Sequence, residues 1–266
     1  AVAERLERLL ALVTEHAKNA LVERRLEPLK ELARYLAGVS FDPGRKECLG
    51  IQGAVELGPK GRLRIVYDFK DSAQLQDFQA QPDYLKGLRE KLPQVTTPHQ
   101  SGFEVRGNAL VGIGETCYRH LLPLLSPLTI KYRVSITQPV FFLFGVCDDG
   151  YENCITCSIM GDLSVLDTKS RIVGTVASKE RGFVAGKNYV FELIHDGADC
   201  IECRIDGQQC TKVTRVGSRK SGGIFLWLHA NDPIVISEIV IDTGLDQAGM
   251  GEIRERWIRR RLAGLF

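Results

Sequence analysis

Between Leu128 and Thr243, apolar and polar residues alternate in short runs. The runs read LTIKYRVSI, PVFFLFGV, CITCSIM, LSVL, RIVGTVAS, NYVFELI, CIECRI, GGIFLWLHA and IVISEIVID. Turn signals such as Asp148-Asp149-Gly150, Asp196-Gly197 and Asp206-Gly207 fall between them. Successive side chains of a strand point to opposite faces, so a period of two predicts strands with one face buried. Strands this closely spaced, with no helical pattern between them, predict an antiparallel sandwich or barrel. The alternation also assigns faces. Tyr132 and Val134 should point inward, with Lys131, Arg133 and Ser135 outward. Glu202, Arg204 and Asp206 should point outward too. Further on, Ile224, Leu226 and Leu228 should pack inside, leaving Phe225, Trp227, His229 and Asn231 together on the other face.

Upstream, the stretch from Ile51 to Leu57 is expected to pair with Leu63–Phe69 as a hairpin across Gly58–Gly61. Asp71–Phe78 predicts one or two helical turns capped by Asp71 or Ser72. Residues 79–100 carry Pro82, Pro93 and Pro98 and read as an inserted loop with a short helix near 83–91. Strands resume at Phe103–Arg106 and Ala109–Ile113. The turn between them, Gly107-Asn108, suits the positive φ of a two-residue hairpin.

Both ends read as helix. Leu6, Leu9, Leu10, Val13, Ala17, Ala20 and Leu21 recur at spacings of three and four. Pro28 breaks the pattern, a second helix follows over 28–37, and Gly38 is the expected cap. At the other end, Glu252–Leu265 puts Ile253, Trp257, Ile258 and Leu262 on one stripe, opposite Arg254, Arg256, Arg259, Arg260 and Arg261. The expected organisation is a helical arm over 1–38, a β-sandwich over 39–245 and a basic helix over 246–266.

Composition narrows the function classes. With 266 residues, 44% of them hydrophobic, the chain can bury a large core without a covalent staple. A net charge of +2 gives no global attraction to nucleic acid, so no nucleic-acid partner is expected. No apolar run approaches the roughly 20 residues of a membrane helix, so no membrane span is expected. The eight cysteines include Cys154/Cys157 and Cys200/Cys203, two Cys-x-x-Cys pairs that would suit zinc on tight turns. Both pairs fall in strand patterns, where residues three apart point to opposite faces. Buried thiols are the expectation, with no metal and no cofactor; one or two disulfides stay open for an oxidising compartment. Asp148-Asp149-Gly150 reads as a turn rather than a calcium loop.

Several segments carry a resemblance. Tyr67-Asp68-Phe69 is followed by Leu75-Gln76-Asp77-Phe78, then by Gly102-Phe103-Glu104-Val105 and Asn108-Ala109-Leu110-Val111-Gly112. Ile205-Asp206-Gly207-Gln208, Gly222–Trp227 and Ile236–Asp242 complete the set. Over about residues 62–245 the chain resembles concanavalin A-like sandwich domains of the lectin/glucanase superfamily. The nearest flavour is the laminin-G-like and 3-keto-disaccharide hydrolase-like domains of bacteria. The resemblance implies a jelly-roll sandwich and a carbohydrate ligand; the sequence does not fix a location, and an extracytoplasmic one is the expectation. Two features depart from the catalytic members. Gln138-Pro139-Val140-Phe141-Phe142 stands where the hydrolase-like domains carry an Asn-Ser-Gly type segment. No Glu-x-Asp-x-x-Glu strand is present.

The expected ligand face combines Arg133, Phe225, Trp227, His229, Asn231, Glu202 and Arg204. An aromatic ring can stack on a sugar while charged groups meet its hydroxyls. A non-catalytic glycan-binding module is therefore the first expectation. The alternatives are a glycoside-cleaving enzyme using acids among Glu192, Glu202 and Asp206, and a structural domain whose N-terminal helices bind a partner chain.

Overall fold

The computed structural model describes residues 11, 14, 15, 34, 35, 38, 41–80, 102–122, 124–136, 142–147, 155–160, 162–166, 172–176, 186–196, 200–213, 223–245 and 247–263. Over 142–176 and 223–233 the description is of the backbone. The expected insertion with its helix near 83–91, the Pro28 break and Leu262 lie outside the described residues or side chains. The chain divides into two compact units, 1–50 with 247–266, and 51–246.

The first unit holds helix α1 (Lys46–Leu49) and helix α2 (Gln247–Ala263). Residues 11, 14, 15, 34, 35 and 38 are helical as well. The stripe read from the sequence of α2 is the buried one: Ile253, Trp257 and Ile258 are inside, and the arginines are exposed. Trp257 and Ile258 cluster with Cys48, and the Phe41 ring meets Trp257 edge-on at 5.7 Å. The Arg261 guanidinium lies 5.4 Å over the Trp257 ring. Gly38 differs from the expectation. It is helical and buried rather than a cap, and its carbonyl accepts from Arg254 Nη2 at 3.0 Å. A Cβ there would stand 2.8 Å from that same Nη2, so close approach of the guanidinium is what glycine permits. The left-handed cap is instead Gly50, at φ 72°, closing α1, a helix the sequence pattern did not reveal.

The second unit is antiparallel β-structure. Its strands are β1 (Ala54–Leu57), β2 (Leu63–Tyr67), β3 (Phe78–Ala80), β4 (Gly102–Arg106), β5 (Ala109–His120), β6 (Leu124–Ile136) and β7 (Phe142–Cys147). They continue with β8 (Ile155–Met160), β9 (Asp162–Leu166), β10 (Ile172–Val176), β11 (Asn188–His195), β12 (Ile201–Ile205), β13 (Gln208–Val213) and β14 (Gly223–Leu245). The main path of neighbours runs β10-β9-β8-β7-β14-β6-β11-β12-β13. Fourteen hydrogen-bonded strands exceed what one open twisted sheet normally carries without curling or splitting into two packed layers.

Strand β14 joins the layers. Its first part pairs with β7 at Gly223–Phe225 and with β5 at Phe225–Ala230. Its second part pairs with β6, with β5 again at Ile234–Ile236, and with β2 at Ile239–Thr243. Two separate strands were expected here. The observed chain keeps its hydrogen bonds through a register irregularity between Ala230 and Ile234, which is how a strand changes layer without ending. One layer thus contains β1, β2, the second part of β14, β6, β11, β12 and β13, with β5 running along both parts of β14. Its inward side chains, among them Ile65, Ile130, Tyr132, Val134, Phe191 and Ile239, are fully buried.

The hairpins follow their turn chemistry. Ala54–Leu57 pairs with Leu63–Val66 across Gly58–Gly61. Gly107 and Asn108 both take positive φ, 56° and 59°, between β4 and β5. The turn over Ser72–Asp77 is a 3-10 helix whose cap, Asp71, accepts from the Ala73 N–H at 2.9 Å. Gly112 lies opposite Phe103 in the β4–β5 pair. A Cβ at this position would fall 1.9 Å from Phe103 Cε1, and that ring is itself buried. Gly112→Ala is therefore expected to cost about 1–3 kcal/mol by overpacking. Urea denaturation checks this, and an unchanged midpoint would mean the ring has room to move.

Candidate ligand face

Five strands of the second unit line up a row of charged residues on one face. Antiparallel register places Lys131 of β6 opposite Glu192 of β11, and Glu192 opposite Arg204 of β12. Glu202 of β12 is opposite Lys212 of β13. On the other flank Arg133 of β6 is opposite Glu238 of β14. These residues alternate with Tyr132, Val134, Phe191, Leu193 and Cys203, which are buried, so they occupy the outward face.

The side chains interlock. Lys131 Nζ donates to Glu192 Oε1 at 2.8 Å, and Arg204 Nη1 stands 3.9 Å from Glu192 Oε2. Arg204 Nε donates to Glu202 Oε1 at 2.5 Å. Arg133 Nη2 is 3.6 Å from Glu238 Oε2. Opposite charges facing each other across strands contribute roughly 0.2–1 kcal/mol per pair, so the row is held but not locked. Such a surface offers guanidinium and ammonium donors beside carboxylate acceptors, the chemistry that hydroxyl-rich ligands need.

Of the residues expected on the ligand face, Arg133, Glu202 and Arg204 share this surface. Phe225, Trp227 and His229 lie on the first part of β14, opposite Arg119, Cys117 and Glu115 of β5. Asn231 falls at the register irregularity. The side chains of these four are outside the described residues. Arg133 pairs with Glu238 rather than with that part of β14, so the register does not set Trp227 beside Arg133. Asp206, one of the acids weighed for catalysis, is committed to a turn. At φ 51° it accepts from the Val190 N–H at 2.9 Å and from Lys187 Nζ at 3.3 Å. Lys131, expected outward, and Glu192, weighed among the acids, share this face as well; Glu238 joins it through cross-strand pairing with Arg133, which one-strand periodicity does not reveal.

A second polar cluster is enclosed. Asp77 Oδ2 accepts from the Gln52 N–H at 2.6 Å, the Gly53 N–H at 3.0 Å and the Tyr67 hydroxyl at 3.0 Å. His120 Nε2 lies 2.7 Å from the same hydroxyl. The Leu122 N–H donates to His120 Nδ1 at 3.0 Å, so the proton of the neutral ring is on Nε2. The chain of donors therefore runs from His120 to Tyr67 to Asp77. Burial lowers the His120 pKa to about 4. Burial, and then the Asp77 carboxylate, raise that of Tyr67 well above the ordinary value. Phe78 closes the cluster, edge-on to both Tyr67 and His120. All three polar residues are at most 2% exposed, so this network fastens the corner between β2 and β5 rather than receiving a ligand.

Among the described residues, no three or more His, Cys, Asp or Glu come together as a metal site. Cys203 faces inward from β12, and Cys200 is buried just before that strand begins; Cys154 lies outside the described residues. No helix among the described residues is long and apolar enough to cross a membrane.

These features define a fold class: an antiparallel jelly-roll β-sandwich with a charged outward sheet face. The sequence matches no protein-family model and no curated protein. The fold is similar to that of a Bacillus subtilis protein of unknown function with a galectin-like fold. The two share 9% identity at a TM-score of 0.51, covering 67% of this chain and 96% of that one. Weaker likenesses include β-agarase A from Zobellia galactanivorans, at 9% identity and TM-score 0.44 over 69% of this chain and 93% of that one. The carbohydrate-binding module CBM66 from Bacillus subtilis is another, at 11% identity and TM-score 0.39 over 56% and 91% of the two chains.

Proposed function

We propose that the chain is a non-catalytic glycan-binding module that takes its ligand on the outward face of β6, β11 and β12. The observation that carries this reading is the row Lys131–Glu192–Arg204–Glu202 with Arg133 beside it. It sets projecting donors and recessed acceptors side by side on a rigid sheet. A galectin-like sandwich with such a face suits a sugar whose vicinal hydroxyls can both donate and accept. Acid–base cleavage would call for one carboxyl relieved of neighbouring cations. Here Glu192 sits between Lys131 and Arg204, and Glu202 accepts from Arg204. That arrangement favours binding over hydrolysis.

The test is a glycan-array screen followed by calorimetry on the wild type, Arg204→Ala and Trp227→Ala. Arg204→Ala is expected to weaken the selected glycan by about 1.5–3 kcal/mol, the scale of hydrogen bonds to a charged group. A comparable loss in Trp227→Ala extends the face to the first part of β14; unchanged affinity confines it to the charged row. Absence of binding to every glycan, or full affinity in Arg204→Ala, would overturn the reading.

A further inference from the structure

We infer that the ligand of this face is anionic, a glycan bearing carboxylate or sulfate groups, with Arg133 as their principal receptor; the inference rests on the glycan-binding reading above. What points to it is an asymmetry in how the two signs of charge are presented. The cations project: the side chains of Lys131, Arg133 and Arg204 are 41%, 50% and 40% exposed. The carboxylates between them are recessed, Glu192 at 12% and Glu202 at 13%. Long cationic stems from neighbouring strands can cover a shorter acid while keeping their heads in water.

Hydrogen-bond supply points the same way. Both Glu192 oxygens face a cation, Oε1 toward Lys131 and Oε2 toward Arg204. Arg133 is the opposite case. Its nearest carboxylate oxygen among the described residues, Glu238 Oε2, lies at 3.6 Å, outside hydrogen-bond reach. Its planar guanidinium carries five N–H donors in a fork that matches a carboxylate or sulfate with two parallel bonds. Lys212, exposed on β13 opposite Glu202, continues the row of projecting cations. A ligand meeting this face thus finds donors in excess of acceptors. Neutral sugars present hydroxyls that donate as readily as they accept, whereas a carboxylate or sulfate only accepts. Glu238, 37% exposed, is the one acid of this set that an incoming anion meets at the surface beside Arg133.

The test is calorimetry of the full chain with an oligogalacturonate, a heparin oligosaccharide and a cello-oligosaccharide, at low and at physiological salt. The expected result is binding of one or both acidic probes, weakening as salt rises, with the neutral probe at least tenfold weaker. The galacturonate and heparin arms separate carboxylate from sulfate recognition. Arg133→Gln should weaken the acidic probe about tenfold, Arg133→Lys less, and Glu238→Gln should tighten it several-fold. Unchanged thermal midpoints would show that the variants are folded. If the cello-oligosaccharide or other neutral glycans of the array bind as tightly as the acidic probes, the inference fails and the glycan-binding reading stands. Acidic binding indifferent to Arg133→Gln and Glu238→Gln also overturns it. If no glycan of either kind binds, the functional reading falls, and the inference with it.

Discussion

Replacing Asp77 by alanine is expected to destabilise the sandwich by about 3–6 kcal/mol, because it strands buried donors that each cost about 1–3 kcal/mol when left without a partner. Three donors converge on one oxygen: the N–H groups of Gln52 and Gly53 and the hydroxyl of Tyr67. Two of them cannot turn to water, since Tyr67 and Gly53 are buried and Phe78 packs against the Tyr67 ring; Gln52 is half-buried. A loss of this size is a large share of the roughly 5–15 kcal/mol that a domain has in total. Asp77→Asn keeps an oxygen available to the three donors and should recover part of the loss. Equilibrium urea unfolding of both variants measures the difference. A cost below about 1 kcal/mol for Asp77→Ala would mean the donors find other partners, and the proposed role of this cluster would be wrong.

The second large effect is on pH dependence. His120 is held neutral in the folded chain with a pKa of about 4, chiefly by burial. An unfolded histidine titrates near 6.5. Between those values the unfolded chain takes up a proton that the native chain refuses. Stability therefore falls as the pH drops through this window, and the group adds no slope above it. The two pKa values imply about 2 kcal/mol lost between pH 7 and pH 5, and about 3 kcal/mol over the whole window. Protonation would also oppose Nδ1–H to the Leu122 N–H that now donates to it. Carboxylates add their own slope at lower pH, so the informative quantity is the difference from His120→Gln, which removes this titration. Denaturation of both proteins at pH 7, 6 and 5 should give curves that diverge in steepness. Parallel curves would place His120 in contact with solvent.

Much of the sandwich is legible along single strands, because the side-chain period of two is a local property. The alternation of Thr129–Ser135 correctly sorts Tyr132 and Val134 from Lys131 and Arg133. The Gly107-Asn108 turn is readable for a similar reason, since positive φ at both positions is a demand on residue type. What periodicity cannot supply is which strands become neighbours. The row Lys131–Glu192–Arg204 forms only because β11 inserts between β6 and β12, and Glu192 lies sixty-one positions from Lys131 in the chain. The Tyr67–His120 contact spans fifty-three positions and depends on β5 running on past its hairpin with β4, from Ile113 to His120, to reach the Asp77 turn. The same limit applies to Trp227. Parity groups it with Phe225 and His229, yet it cannot reveal that this part of β14 pairs with β5 while Arg133 pairs with the second part.

The measurement that bears most directly on the account is amide chemical-shift mapping of the isotopically labelled chain, titrated with the tightest glycan from the array. Ligand contact on the outward face predicts saturable shifts concentrated at Lys131, Arg133, Glu192, Glu202 and Arg204, and little change around the enclosed Asp77, Tyr67 and His120. Shifts confined to other surfaces, with those five amides unmoved at saturation, would contradict it.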